Sequence, residues 1–171
     1  SALKYVSENV LKRNEENWFN DNEYSEPLFK NLGASLIDSM DNSTYEGATV
    51  LHDLNQPITE NMKNQYTAIV DGGTCEHVFN FPAAVKNCMQ MLRVGGHFIS
   101  FTAADNMCGH GFYQFSPELF FRVFSYDNGF DIKLMAMHAG DGSKDSTNVY
   151  TVKDPDDVKT RVEFKSKKGL C

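Results

Sequence analysis

Three carboxylates, Asp41, Asp53 and Asp71, each close a short apolar run: Ala34 to Met40, Thr49 to His52 and Tyr66 to Val70. A carboxylate at the tip of a parallel strand can accept two hydrogen bonds from vicinal hydroxyls, or one from an exocyclic amine. In open parallel sheets, ligands bind outside the carboxyl ends of the strands. Asp41 suits the hydroxyls of a ribose. Asp53 suits the amine of an adenine, with Leu54 offering the base an apolar face. The plain structural alternative is that Asp is an ordinary turn residue after a strand.

A second group of reactive side chains follows Asp71-Gly72-Gly73. Cys75, Glu76 and His77 are adjacent, and Cys108 stands two residues before His110. As two half-sites they would supply four zinc ligands. No CxxC or HxxxH pair accompanies them, so the sequence reading assigns no metal site. A Cys-His hydrolase, with Cys75 or Cys108 as nucleophile and His77 or His110 as base, lacks any surrounding hydrolase signature. His97 and His138 read as structural. Phe112 and Tyr113 are candidates for a substrate wall, whereas Phe120, Phe121 and Phe124 share helical spacing and read as core.

The elements that must position these groups alternate in type. Leu3, Val6, Val10 and Leu11 predict a helix over Ala2 to Glu15, with Trp18 and Phe19 as anchors beyond it. Ser25-Glu26-Pro27 starts a helix that Gly33 stops. Strands follow over the three apolar runs. Phe81 to Arg93 carries a helical stripe of Val85, Cys88, Met89 and Leu92, with Asn80 as its cap. Gly95-Gly96 then turns the chain into a strand from Phe98 to Thr102. Ser116-Pro117-Glu118 opens a helix to about Ser125. Two strands, Ile132 to Met137 and Asn148 to Val152, are joined without a helix, and Thr160 to Phe164 reads as an edge strand. The pattern predicts an α/β fold, a three-layer α-β-α arrangement with a mostly parallel sheet and an antiparallel C-terminal strand pair. It fits one domain over 1–171, with a helical N-terminal segment over 1–33 and sheet and helices over 34–165.

Composition narrows the function classes. At 171 residues the chain can bury roughly two-thirds of its unfolded surface. Its net charge of −7 argues against nucleic acid, because phosphate neutralisation needs a basic surface. Lys165, Lys167 and Lys168 form the one basic cluster and read as a solvated tail. No apolar run reaches membrane-spanning length. Ser1 to Val10 lacks a signal-peptide core. Cys75, Cys88, Cys108 and Cys171 are irregularly spaced, which together with the missing leader predicts a cytoplasmic location.

Several segments together resemble a family. They are Asp41-Asn42-Ser43-Thr44-Tyr45-Glu46-Gly47-Ala48, His52-Asp53-Leu54-Asn55-Gln56-Pro57, Tyr66 to Phe79, and Met91-Leu92-Arg93-Val94-Gly95-Gly96-His97-Phe98. In this order the stretch from Leu32 to Ile132 resembles the Rossmann-like S-adenosylmethionine-dependent methyltransferases. The resemblance implies that Asp41 binds the cofactor's ribose, and that Asp53 with Leu54 holds its adenine. Asp71, Gly72 and Gly73 would lie under the methionine end, with Glu76 and His77 facing a small-molecule acceptor. The loop carrying His110 would cover the mouth, His77 or His110 would take the acceptor's proton, and Glu76 would orient it. The chain departs from the family in one respect. A Gly-rich turn normally cradles the methionine moiety, yet no glycine precedes Gly33. Either the sequence begins after the first strand of the expected fold, or the fold is an N-terminally shortened form. The alternative function is a noncatalytic relative acting through self-association, as a homo-oligomer, or through a protein partner.

Overall fold

The computed structural model describes residues 24–44, 46–139 and 148–163. The predicted N-terminal helix with Trp18 and Phe19, the lysine cluster and Phe164 lie outside them. The chain divides into two compact units, Ser1–Asp53 and Leu54–Cys171.

In the first unit, helix α1 spans Glu26–Asn31, with Pro27 in its first turn, Lys30 in its last, and Gly33 beyond it at φ +101°. Strands β1 (Met40–Asp41) and β2 (Val50–Leu51) pair in parallel, Met40 opposite Val50 and Asp41 opposite Leu51. The strand expected from Ala34 thus forms only at its last residue, Met40. Side chains replace the ladder before it: the Thr49 hydroxyl accepts from Ser39 N at 3.0 Å, and Thr49 N donates to the Ser39 carbonyl at 3.0 Å. Local hydroxyl bonds compete with strand pairing in this way.

The second unit is built on a β-α-β segment. Strand β3 (Tyr66–Asp71) leads through helix α2 (Phe81–Met91) into strand β4 (Leu92–Ser100), which lies parallel to β3. Val70 faces Ile99 and Asp71 faces Ser100, so both strands end at the same level. Two expectations change here. The helix stops at Met91 rather than Arg93, and Gly95-Gly96 lies inside β4 rather than before it. The cause is close backbone approach. Gly95 has φ +81°, and a Cβ on Gly96 would stand 2.9 Å from the Arg93 carbonyl and 3.1 Å from that of Thr67. The glycines absorb a register irregularity that keeps β4 on β3.

Phe81, Ala84, Val85, Cys88 and Met91 are buried along α2. Cys75, Val78, Phe81, Ala84, Val85, Phe115 and Phe124 form one core cluster, with Leu54, Phe98, Tyr113 and Phe120 packed against it. Ring pairs tighten it, Phe81 to Phe115 at 4.4 Å and Phe98 to Phe124 at 5.1 Å between centroids. Burial of each such side chain stabilises the fold by about 1.5–3 kcal/mol. Asn80 precedes α2 but its side chain does not cap it; it donates to the Asn55 carbonyl at 3.0 Å while Asn55 Oδ1 accepts from Asn80 N at 2.9 Å.

Helix α3 (Pro117–Val123) is capped by Ser116, whose hydroxyl accepts from Glu118 N at 3.3 Å. Strands β5 (Ala136–Ala139) and β6 (Asn148–Thr151) are antiparallel, as expected, although β5 begins four residues after Ile132. Ile132 instead packs on the core. Residues 160–163 carry no strand. A short helix α4 (Pro155–Val158) precedes them, capped by Asp154 and tied to Arg122 through Asp154 and Asp156. The described residues form a mixed α/β fold with two parallel strand pairs and one antiparallel pair. None of their helices is long and apolar enough to cross a membrane.

Candidate functional site

Beyond the carboxyl ends of β3 and β4, two loops converge on one carboxylate. The first leaves β3 through Asp71-Gly72-Gly73. Asp71 is buried, and its Oδ1 accepts from Thr74 N at 2.9 Å and Cys75 N at 3.3 Å. Its Oδ2 accepts from the Ser100 hydroxyl at 2.9 Å. The chain's own donors therefore occupy both oxygens, and Asp71 folds the loop into the short 3-10 helix Cys75–His77. Gly73 sits at φ +100°, and a Cβ there would stand 3.2 Å from Glu76 Oε1. A glycine at this point lets the Glu76 side chain fold back beneath the loop.

The second loop follows β4. Thr102 Oγ1 donates to Glu76 Oε2 at 3.0 Å. Further on, Phe112 N and Tyr113 N donate to the Glu76 carbonyl at 2.8 and 3.2 Å. Gly111, at φ +74°, allows this contact, since its Cβ would lie 2.8 Å from that carbonyl oxygen. His110 N donates to the Met107 carbonyl at 3.0 Å, and Met107 N to Gln114 Oε1 at 2.9 Å. The loop is thus fastened on both sides of His110.

The result is a cluster of three. The Glu76 side chain is 2% exposed, while His77 and His110 face solvent. His110 Nε2 lies 3.6 Å from Glu76 Oε1, and the two imidazole centroids are 5.0 Å apart, edge to face. One ligating atom from each residue falls within 4.8 Å of the others. Beside the histidines, Phe79 and Phe112 are exposed and meet edge to face at 5.8 Å. Each stands two residues after a histidine, so the loops present a polar row and an aromatic row together.

The remaining expected residues have other surroundings. Asp41 is exposed at the end of β1, with Oδ1 accepting from Ser43 N at 2.7 Å and Ser43 Oγ at 2.9 Å. Asp53 is exposed and closes the first unit. Leu54 begins the second unit, packs on the core, and its carbonyl accepts from Asn87 Nδ2 at 3.3 Å. Gly72 is exposed, with open space around its Cα. Tyr113, expected at a substrate wall, is half-buried against the core and donates its hydroxyl to the Phe79 carbonyl at 2.6 Å. Cys75 is buried; its hydrogen bond with Cys88, then burial and the nearby Asp71 charge, push its thiol far above the usual range, which removes it as a nucleophile.

Thr102 and Phe79 are not among the residues that type and spacing single out. Thr102 had a positional signal, since it follows the end of β4 as Glu76 follows the end of β3. Phe79 had the repeat of its spacing from His77 in that of Phe112 from His110. The chain matches no protein-family model, no curated protein and no solved structure with which it was compared.

Proposed function

We propose that the chain is an S-adenosylmethionine-dependent methyltransferase of Rossmann-like, three-layer architecture, acting on a small-molecule acceptor held against Glu76, His77 and His110. The observation that carries this reading is the convergence of these side chains beyond the carboxyl ends of two parallel strands joined through a helix. The fit to the cofactor rests, within the second unit, on two residues: exposed Gly72 leaves backbone open to a ligand, and Gly73 holds a left-handed turn. When bound, the cofactor supplies an electrophilic methyl group on a sulfonium.

This chain's residues then position the acceptor. Phe79 and Phe112 offer its apolar part a ledge, and His77 and His110 meet its nucleophilic atom. There His77 or His110 would take that atom's proton, with Glu76 orienting it, so that the acceptor could receive the methyl group. Much of the rate advantage comes from this alignment. Calorimetry with S-adenosylmethionine and with S-adenosylhomocysteine tests the reading. Saturable binding of both is expected, and no heat at millimolar ligand with the chain folded overturns it.

A second reading is favoured by the exposed apolar side chains of Val70, Ile99 and Phe101 on and beside the β3–β4 pair. Under it the chain is a noncatalytic relative whose sheet surface is covered by a second copy. Light scattering decides: a dimer that ignores both ligands supports this reading, and a monomer that binds them removes it.

A further inference from the structure

We infer that Glu76, His77 and His110 form a binding site for a divalent first-row transition metal such as zinc. The inference deepens the acceptor-facing reading of the same cluster, and it changes the histidines' part from taking a proton to holding the ion.

The geometry fits ligation better than hydrogen bonding. A metal with ligands at 2.0–2.2 Å in tetrahedral array sets neighbouring ligand atoms about 3.4 Å apart. The Glu76 Oε1 to His110 Nε2 separation of 3.6 Å is close to that edge. It is too long for an N–H···O hydrogen bond, which spans about 2.7–3.2 Å. One ligand atom from each of the three residues lies within 4.8 Å of the others, and both histidines are exposed.

The carboxylate also lacks a full set of partners. With its side chain 2% exposed, Glu76 has one oxygen held by Thr102, and the other has no hydrogen-bond partner among the described residues. A buried carboxylate is costly unless paired or bound to a metal. Thr102 fixes Oε2 and so aims Oε1 at the histidines, which is how outer-shell partners orient ligands. Two imidazoles and one carboxylate favour zinc, iron or cobalt over calcium and magnesium, which take oxygen ligands. Three protein ligands leave at least one position open, the mark of a catalytic rather than a structural site. At that position the ion would bind an oxygen of the acceptor and lower its pKa, so that its proton leaves to water before methyl transfer.

The test uses the full, tag-free chain stripped with chelator and titrated with Co(II), read by visible absorption and calorimetry. One equivalent is expected, with the intense visible bands of four- or five-coordinate cobalt. His110→Ala and His77→Ala, both at exposed positions, are each expected to weaken binding at least about tenfold in a chain that circular dichroism shows to be folded. Thr102→Val is expected to cost about 10–100-fold. No saturable cobalt binding, or equal binding by the folded His77→Ala/His110→Ala double variant, overturns the inference. S-adenosylmethionine binding is measured separately on the same samples. Cofactor binding without cobalt binding removes the metal site alone, and cobalt binding without cofactor binding removes the methyltransferase reading alone.

Discussion

Replacing Gly111 by Ala tests whether the His110 loop is seated on Glu76 as described. Two penalties act together. At φ +74° an L side chain costs about 1–2 kcal/mol in the left-handed region. Its Cβ would also meet the Glu76 carbonyl oxygen at 2.8 Å and Cγ at 3.1 Å, where backbone already fixed by two amides must shift. Such overpacking costs about 1–3 kcal/mol. The expected loss is therefore about 2–5 kcal/mol. Gly109 provides the control in the same loop. It has φ +91° but nothing within 4 Å of a Cβ, so Gly109→Ala carries the conformational cost alone, about 1–2 kcal/mol. Urea unfolding followed by circular dichroism measures both. Cobalt affinity should fall further in Gly111→Ala than in Gly109→Ala, because Glu76 is the residue displaced. Equal stability of the two variants, within about 0.5 kcal/mol, would refute the seating of the loop.

Other positions give sharp expectations. Asn87 is buried and holds Ile58 N at 3.1 Å, the Gln56 carbonyl at 2.8 Å and that of Leu54 at 3.3 Å, so Asn87→Ala should cost about 2–4 kcal/mol in urea unfolding. Asp71→Ala should cost about 2–3 kcal/mol by freeing Thr74 N, Cys75 N and the Ser100 hydroxyl, whereas Asp71→Asn, keeping an acceptor for the amides and a donor toward Ser100, should cost under about 1 kcal/mol. If Asp71→Asn instead abolishes cofactor binding in a stable chain, Asp71 touches the ligand. Exposed Cys108 should react with a disulfide reagent at once, and buried Cys75 and Cys88 only on unfolding. Because the folded Cys75 thiol stays protonated while the unfolded one ionises above about pH 8.5, its contribution to stability is complete below that pH and declines above it, visible as a falling denaturation midpoint.

The sequence made some elements legible because one short-range signal decided them. Tyr66 to Val70 is a continuous β-rich run closed by Asp71-Gly72-Gly73, and β3 occupies it. Ser116-Pro117 carries both a cap and a first-turn proline, and α3 starts there. Where two signals competed, the tertiary contact prevailed. Gly95-Gly96 has the composition of a turn, yet β4 runs through it, and a Cβ on Gly96 would meet the Arg93 carbonyl at 2.9 Å and the Thr67 carbonyl of β3 at 3.1 Å. Asn80 has the position of a cap, yet its amide serves Asn55, twenty-five residues away. Ile132 has strand character, yet the core cluster takes it as a packing residue and β5 starts later.

The candidate site divides along the same line. Glu76, His77 and His110 are visible in the sequence as reactive types, but spacing along the chain groups them with Cys75 and Cys108. Distance in space assembles a different set. Cys75 turns inward to Cys88 and Asp71, and the one-residue step to Glu76 points its carboxylate the other way, under Gly73 and toward His110. A 3-10 helix of three residues is enough to separate adjacent side chains in this manner. The two glycines that permit the arrangement, Gly73 and Gly111, both hold positive φ and both crowd Glu76. They connect the loop after β3 to the loop after β4 around one buried carboxylate. Local sequence identified the groups capable of chemistry; the backbone approach allowed by those glycines determines which of them meet.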